Sequence, residues 1–198
     1  MIKAIIFDLN GIFVKSRKLS DRFQEDFGVP TSTFLPKLSE IMDKVRRPGA
    51  GKAFDYWSPV FREWNVHFSE QEFWDYWFKA EIPSEQMIKF AKSLRDKGIR
   101  VFILSNNFME RIKYYNHYPW IHEAVDKVYF SGATGLVKPD PGAWELVLSE
   151  NGLKSDECLY FDDKEKNLKV AESIGIKAFM FTDEKELERI VVGYLDAQ

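Results

Sequence analysis

The chain has 198 residues, of which 45% are hydrophobic and 30% charged, and this composition fits one globular domain or one domain with a modest insert. The formal net charge of −3 argues against nucleic acid or an anionic membrane as the main partner. The single cysteine, Cys158, excludes an internal disulfide, and its apolar neighbours indicate a buried strand residue and not a nucleophile.

The first predicted element is a buried strand over residues 2–8. The apolar run Ile5-Ile6-Phe7 ends abruptly in Asp8, and Gly11 follows. This pattern is typical of a parallel strand that delivers a carboxylate to the open carboxyl end of a sheet. Asn10 stands two residues after the acid, where a second carboxylate would be expected.

Residues 16–83 contain no convincing buried strand. The apolar spacing predicts helices near 17–27, 33–46, 51–64 and 69–80, the last beginning with a capping box between Ser69 and Glu72. The last two helices are rich in aromatic residues, which we expect to fill the core of a small helical bundle. An alternative is that some of these rings line a substrate cleft that faces the sheet.

The rest of the chain alternates between helices and strands. We predict helices over 84–97, 108–117, 140–150, 164–174 and 184–192, and strands over 100–104, 125–130, 157–161 and 176–181. This alternation predicts an α/β fold with a parallel sheet that helices cover on both faces.

Polar side chains follow several of the predicted strands. They are Asp8, Ser105, Lys138 in the loop before Asp140, and Asp162-Asp163. Because ligands of open parallel sheets bind outside the carboxyl ends of the strands, we expect these groups to converge there. Clustered carboxylates suit Mg²⁺, and an ammonium and a hydroxyl beside them suit a phosphate. Each signal is weak alone, but together they favour metal-assisted phosphoryl chemistry.

Four motifs carry a family resemblance. They are Asp8-Leu9-Asn10-Gly11, Val101-Phe102-Ile103-Leu104-Ser105-Asn106, Gly135-Leu136-Val137-Lys138-Pro139-Asp140-Pro141, and Tyr160-Phe161-Asp162-Asp163 followed by Asn167. The sequence resembles the haloacid dehalogenase superfamily, and within it the branch of bacterial glucose-1-phosphatases and the N-terminal domain of soluble epoxide hydrolases. The resemblance implies a Rossmann-like core over 1–15 and 84–198, with an inserted all-helical cap over 16–83.

The resemblance also implies roles for the strand-end residues. Asp8 would attack phosphorus and form an aspartyl-phosphate. Mg²⁺ would be bound by Asp8, the backbone carbonyl of Asn10 and Asp163. Asp162 would support the metal through water or orient Lys138.

The remaining motif residues would bind the phosphate. Ser105 would contact its oxygens, and Asn106 would add a polar contact at the same strand end. Lys138 would neutralise charge on Asp8 and on the transferred group, which is a substantial contribution where water is excluded.

Asn10 departs from the family pattern, because active phosphatases usually carry a second Asp that protonates the leaving group. An amide cannot do so, and loss of general acid–base catalysis costs roughly 10²–10⁴-fold in rate. One interpretation is a working phosphatase that finds its acid elsewhere or uses an easy leaving group. A second is a catalytically weakened protein that binds a phosphorylated ligand. A 2-haloacid dehalogenase is disfavoured, since such enzymes generally lack the paired acids at 162–163.

Substrate choice would depend on the segment 46–52, which is basic and lies between two predicted helices. Arg47 and Lys52 are the candidate substrate-binding residues of this segment, although a solvated turn between helices would have the same composition. The three histidines have no ligand spacing, and we expect no catalytic role for them.

The remaining expectations concern partners and location. The partner would be a small phosphorylated metabolite, with no nucleic acid and no membrane involved. We expect a monomer or a homodimer in the cytoplasm, because no apolar run approaches the ~18 residues of a membrane span and the early Asp8 argues against a signal peptide.

Overall fold

The computed structural model describes residues 1–197. Seven strands are present in that range: β1 Ala4–Phe7, β2 Val14–Lys15, β3 Ile82–Pro83, β4 Arg100–Ser105, β5 Lys127–Phe130, β6 Cys158–Asp162 and β7 Lys177–Met180. Five of them form a parallel sheet in the order β5-β4-β1-β6-β7, with β1 in the centre. The predicted parallel sheet is therefore confirmed.

The helices alternate with these strands, as predicted. They are α1 Leu19–Phe27, α2 Thr31–Val45, α3 Ala53–Glu63, α4 Glu70–Phe78, α5 Glu85–Asp96, α6 Met109–Tyr115, α7 Pro119–Glu123, α8 Ser131–Thr134, α9 Gly142–Asn151, α10 Glu165–Ser173 and α11 Glu184–Asp196. Two buried apolar clusters flank the sheet: one includes Met87 and Leu187 from α5 and α11, the other Trp144 and Leu168 from α9 and α10. Helices thus cover both faces of the sheet.

The register of the sheet brings the polar strand ends together. Phe7 of β1 pairs with Ile103 of β4 on one side and with Phe161 of β6 on the other. In a parallel sheet, residues that follow such paired positions lie at the same edge. Asp8, Ser105 and Asp162 therefore reach one carboxyl edge of the sheet.

Helices α1 to α4 pack around a core made largely of aromatic rings. Trp57, Phe61 and Phe73 are buried there, and the centroids of the last two rings are 4.7 Å apart. The predicted capping box is present: the Ser69 hydroxyl accepts a hydrogen bond from the Glu72 backbone, and the Glu72 carboxylate accepts from the Ser69 backbone. The bundle core accounts for the aromatic surplus of the sequence.

Three features differ from the sequence prediction. The short strands β2 and β3 form an antiparallel ribbon at the two chain crossings between the sheet and the helical segment. The short helices α7 and α8 were not predicted, because their 5 and 4 residues carry too little apolar periodicity. Helix α9 begins at Gly142 and not at Pro141; the Asp140 carboxylate accepts from the Gly142 backbone at 2.9 Å.

Within residues 1–197, every helix is too short or too polar to cross a membrane.

Candidate active site

The centre of the site is a buried group of two carboxylates and one ammonium. Asp8 follows β1, and Lys138 Nζ donates to Asp8 Oδ1 at 2.9 Å and to Asp162 Oδ2 at 2.7 Å. The exposed fractions of Asp8, Lys138 and Asp162 are 3%, 4% and 0%. Because charges this deeply buried need partners, the two ion pairs fix the position of all three side chains.

Asp162 is held by hydrogen bonds on both of its oxygens. Oδ2 accepts from the Tyr160 hydroxyl and from Asn167 Nδ2, and Oδ1 accepts from the Lys164 backbone at 2.8 Å. Burial alone would raise the pKa of Asp162, but the Lys138 ammonium and these hydrogen bonds lower it below its ordinary value. Asp162 is therefore a fixed anion that orients Lys138.

Asp163 lies at the rim of the same group. One carboxylate oxygen from each of Asp8, Asp162 and Asp163 lies within 4.8 Å of the other two. Burial is the main cause that raises the pKa of Asp163. The carboxylates of Asp8 and Asp162 raise it further, although Lys164 acts in the opposite direction. This excess of negative charge fits a hard divalent cation such as Mg²⁺, whose preferred ligands are carboxylate oxygens.

Gly11 allows the chain to turn beside this carboxylate group. Its φ is +94°, a region that side chains with a Cβ rarely adopt, and an added Cβ would lie 3.6 Å from Asp163 Oδ2. The glycine after the acid is thus required by the backbone next to the candidate metal ligands.

Ser105 and Asn106 stand at the end of β4. Ser105 is buried, and its hydroxyl accepts a hydrogen bond from Asn107 Nδ2 at 2.9 Å. Asn106 forms two hydrogen bonds with the backbone of Lys138: its Nδ2 donates to the carbonyl at 2.8 Å and its Oδ1 accepts from the amide at 2.9 Å. Asn106 therefore fixes the loop that carries the lysine, and its contact with a ligand stays a prediction.

Asn10 is tied into a buried polar chain that sequence reasoning missed. Its Nδ2 donates to the Tyr115 hydroxyl at 2.9 Å, and its Oδ1 accepts from Asn107 at 3.4 Å. The Tyr115 hydroxyl donates to Glu81 at 2.7 Å, and Arg111 pairs with the same carboxylate. Burial raises the pKa of Tyr115, so its hydroxyl keeps its proton. The amide at position 10 is held with a defined orientation.

Only a faint sequence signal points to this chain of contacts. Arg111 and Tyr115 stand four residues apart on α6 and therefore share a helix face. Glu81 lies among apolar neighbours just before β3. Neither feature links these residues to Asn10, because the contact between Asn10 and Tyr115 spans 105 residues of chain.

A cavity of about 770 Å³ opens above the strand ends. Asp8, Asn10, Ser105, Asn106 and Lys138 contribute to its lining, so the structure brings these predicted site residues together. The volume falls within the range that suits a small-molecule ligand. Every lining residue within the described part of the chain is non-aromatic, so the aromatic rings of the bundle do not line this cavity.

The two predicted specificity cations lie in different places. Arg47 lines the cavity and donates to the Gly135 carbonyl at 3.4 Å. Lys52 is exposed, lies outside the cavity lining and pairs with Glu70 at 3.2 Å. Arg46, the first residue of the same basic segment, also lines the cavity. The geometry gives no support to a substrate contact by Lys52.

We expect Lys138→Met to destabilise the fold strongly. The substitution leaves the buried carboxylates of Asp8 and Asp162 without their cation, and breaking such a pair costs about 3–5 kcal/mol. Urea unfolding without added metal measures the change. Lys164→Met is the control, since its ammonium is exposed and 4.0 Å from Asp163, and its cost should stay below about 0.5 kcal/mol. Equal losses in both variants would contradict the structural role of Lys138.

Comparison with known proteins places this geometry in a family. A sesquiterpene phosphatase of Aspergillus oryzae is 27% identical over 105 residues, 51% of this chain and 52% of the relative. The phosphatase MT3486 of Mycobacterium tuberculosis is 30% identical over 87 residues, 43% of this chain and 40% of the relative. The chain therefore spans about half the length of these curated relatives or less.

A solved structure shares the fold over nearly the whole chain. The enzyme bt-2542 of Bacteroides thetaiotaomicron, in complex with magnesium and inorganic phosphate, superposes with a TM-score of 0.78 at 20% identity and covers 94% of this chain and 99% of its own. The model of the haloacid dehalogenase-like hydrolase family matches residues 2–175. Because this match spans most of the sequence, the chain belongs to the family of haloacid dehalogenase-like hydrolases.

Proposed function

We propose that the protein is a Mg²⁺-dependent phosphatase that hydrolyses a small phosphorylated metabolite, such as a sugar phosphate. The observation that carries this proposal is the Asp8 carboxylate: it is buried at the floor of the cavity, paired with Lys138 and adjacent to Asp162 and Asp163. Curated relatives named as phosphatases support the same class of reaction.

Asp8 supplies the nucleophile. One of its oxygens forms a bond to phosphorus as the bond between phosphorus and the leaving oxygen breaks, which gives an aspartyl-phosphate and an alcohol. Water then attacks phosphorus, the bond to Asp8 breaks, and inorganic phosphate leaves with the carboxylate restored. Lys138 holds Asp8 in place and places its positive charge beside the transferred group in both steps.

The carboxylates of Asp8 and Asp163 would hold the Mg²⁺, with Asp162 turned toward Lys138. When bound, the ion neutralises charge on the phosphoryl oxygens. A structurally similar enzyme of Bacteroides thetaiotaomicron was crystallised with magnesium and phosphate, and this supports the choice of metal.

Asn10 determines which substrates can react quickly. Its amide has no titratable proton near neutral pH, so the leaving oxygen must take its proton from water. A leaving group that is a weak base, such as the anomeric oxygen of a sugar, depends least on an acid. We therefore favour substrates of that kind.

A second candidate function is binding without turnover. The observation that favours it is the fixed amide of Asn10, which is tied to Tyr115 and Asn107 and provides no acid or base. In that case the same Asp8, Lys138 and Ser105 would hold a phosphorylated ligand. Dehalogenation stays disfavoured, because the paired acids at 162–163 contribute to a cluster suited to a metal.

A panel of phosphomonoesters assayed for phosphate release, with Mg²⁺ and with EDTA, tests the proposal. We expect release only with Mg²⁺, and EDTA should reduce it by at least about 100-fold, because charge stabilisation at the phosphoryl group contributes several kcal/mol. Restoration by added Mg²⁺ is the control for irreversible loss. If no compound is hydrolysed but several bind with Mg²⁺ present, the binding function is supported instead. Release that is insensitive to EDTA would overturn the metal assignment.

A further inference from the structure

The cavity above Asp8 carries a surplus of positive charge. Seven of its lining residues are cationic and three are acidic: Lys15, Arg46, Arg47, Arg111, Lys138, Lys164 and Lys166 against Asp8, Asp43 and Asp140. One phosphate bound at Asp8 would use Lys138 and a metal ion. The remaining positive charge lies beyond that point and requires another explanation.

Most of these cations already have a counter-charge. Four of them lie within 4.0 Å of a carboxylate: Lys15, Arg111, Lys138 and Lys164. Arg47 and Lys166 are exposed, so water solvates them. Arg46 is different, because its Nε is buried and has no hydrogen-bond partner in residues 1–197.

Arg46 is half-buried, lines the cavity and, within residues 1–197, has no carboxylate within 4.0 Å, so an anion bound in the cavity would supply the counter-charge that its guanidinium lacks. Burial and the nearby Arg111 lower the pKa of Arg46, and Asp43 and Asp8 act in the opposite direction. An arginine stays charged at neutral pH despite such a shift. Its guanidinium geometry matches the oxygens of a carboxylate or a phosphate.

Arg46 faces Asp8 from another part of the chain. It directly follows α2 in the helical segment, whereas Asp8 follows β1 in the sheet, and both line the same cavity. A ligand with a phosphate at Asp8 and a second anionic group at Arg46 would contact both residues.

We propose that Arg46 forms a second anion-binding subsite, and that the substrate carries a second anionic group, a carboxylate or a phosphate, besides the phosphate hydrolysed at Asp8. This inference rests on the proposed phosphatase function for the position of the first phosphate. The second group satisfies Arg46 and orients the ester toward Asp8.

Paired substrates test this subsite. Phosphoglycolate is compared with ethyl phosphate to test a carboxylate as the second anion. Propane-1,3-diyl bisphosphate is compared with propyl phosphate to test a second phosphate. We expect the second anion to raise kcat/KM about tenfold or more in at least one pair, as for a hydrogen bond to a charged group. Arg46→Met should remove this gain, so that both members of each pair are hydrolysed with similar kcat/KM and the alkyl phosphates lose much less than their doubly anionic partners.

Two further variants serve as controls. Lys44→Met removes a positive charge two residues earlier, on the exposed side of α2, and should keep the gain. Arg46→Lys retains the positive charge and should keep part of the gain in kcat/KM. This variant distinguishes loss of the charge from a folding defect in Arg46→Met. Equal gains in Arg46→Met and the wild type would overturn the subsite. So would an equal loss on both members of each pair, since Arg46 would then bind the transferred phosphate itself.

Calorimetry separates this inference from the proposed function. In Mg²⁺-loaded Asp8→Asn protein, phosphoglycolate should bind about tenfold or more tightly than ethyl phosphate, and adding Arg46→Met should abolish the difference. If no compound is hydrolysed by the wild type but this difference is present, the phosphatase proposal fails and the subsite stands. If both ligands bind equally, the subsite is overturned.

Discussion

Asp8→Asn should abolish phosphate release, with a loss on the order of 10⁴–10⁶-fold, as is typical when a catalytic nucleophile is removed. The amide has almost the same shape as the carboxylate, but it lacks the negative charge needed to attack phosphorus. The fold should be retained, because Lys138 keeps its second ion pair with Asp162 at 2.7 Å. Initial rates of phosphate release, with melting temperature as a check of folding, measure the effect.

A trapping experiment strengthens this prediction. Acid quench of the wild type during turnover of a ³²P-labelled substrate should leave label on the protein, and Asp8→Asn should show none. Asp156→Asn is the matched control, since it makes the same acid-to-amide change at an exposed residue far from the cavity. Unchanged release by Asp8→Asn would mean that another group is the nucleophile.

Asn10→Asp should raise the rate of hydrolysis by roughly 10²–10⁴-fold, which is the usual contribution of a general acid or base. The side chain of Asn10 already points toward the Tyr115 hydroxyl at 2.9 Å, so the new carboxyl group would replace the amide with little rearrangement. Tyr115 has one hydroxyl proton, which it donates to Glu81. The new carboxylate would compete with Glu81 for that proton, and the pKa of residue 10 would be raised above its ordinary value.

The raised pKa gives this prediction a second readout. The acid form is populated below the pKa, so kcat for a poor leaving group should fall as the pH rises through it. Adding Tyr115→Phe removes the hydroxyl that residue 10 and Glu81 share and should shift that limb of the pH profile. Asn10→Ala is the control and should show no gain. An Asp variant no faster than the Ala variant would show that position 10 does not limit turnover.

Helices whose ends carry a cap residue or a glycine could be predicted from the sequence. Ser84 caps α5 and its hydroxyl accepts from the Met87 backbone, and Gly98 after that helix has a φ of +80°. A cap residue and a positive-φ glycine act within a few residues of themselves, so sequence alone reveals them. The ribbon of β2 and β3 was missed because its pairing joins residues about 70 positions apart, and neither strand is long enough to show alternation.

The candidate site likewise contains residues whose positions could be predicted from the sequence and residues whose positions could not. Asp8, Ser105, Lys138 and the paired acids could be predicted to converge, because each ends or follows a strand and parallel strands share one carboxyl edge. The contacts of Arg46 and Lys52 could not be predicted, since both residues are cations in one basic segment of the sequence. Their positions depend on how α2 and α3 pack, which places Arg46 in the cavity and leaves Lys52 with Glu70.

The parallel α/β architecture and the set of groups at the strand ends can be predicted from the amino-acid sequence alone, because apolar runs, caps and glycines specify structure over short distances. Three features emerge from the folded chain alone: Tyr115, which donates to Glu81, holds Asn10; Asn106 fixes the Lys138 loop; and Arg46 has a buried Nε without a partner in residues 1–197. These contacts join residues that are remote in the chain, and side-chain packing sets them.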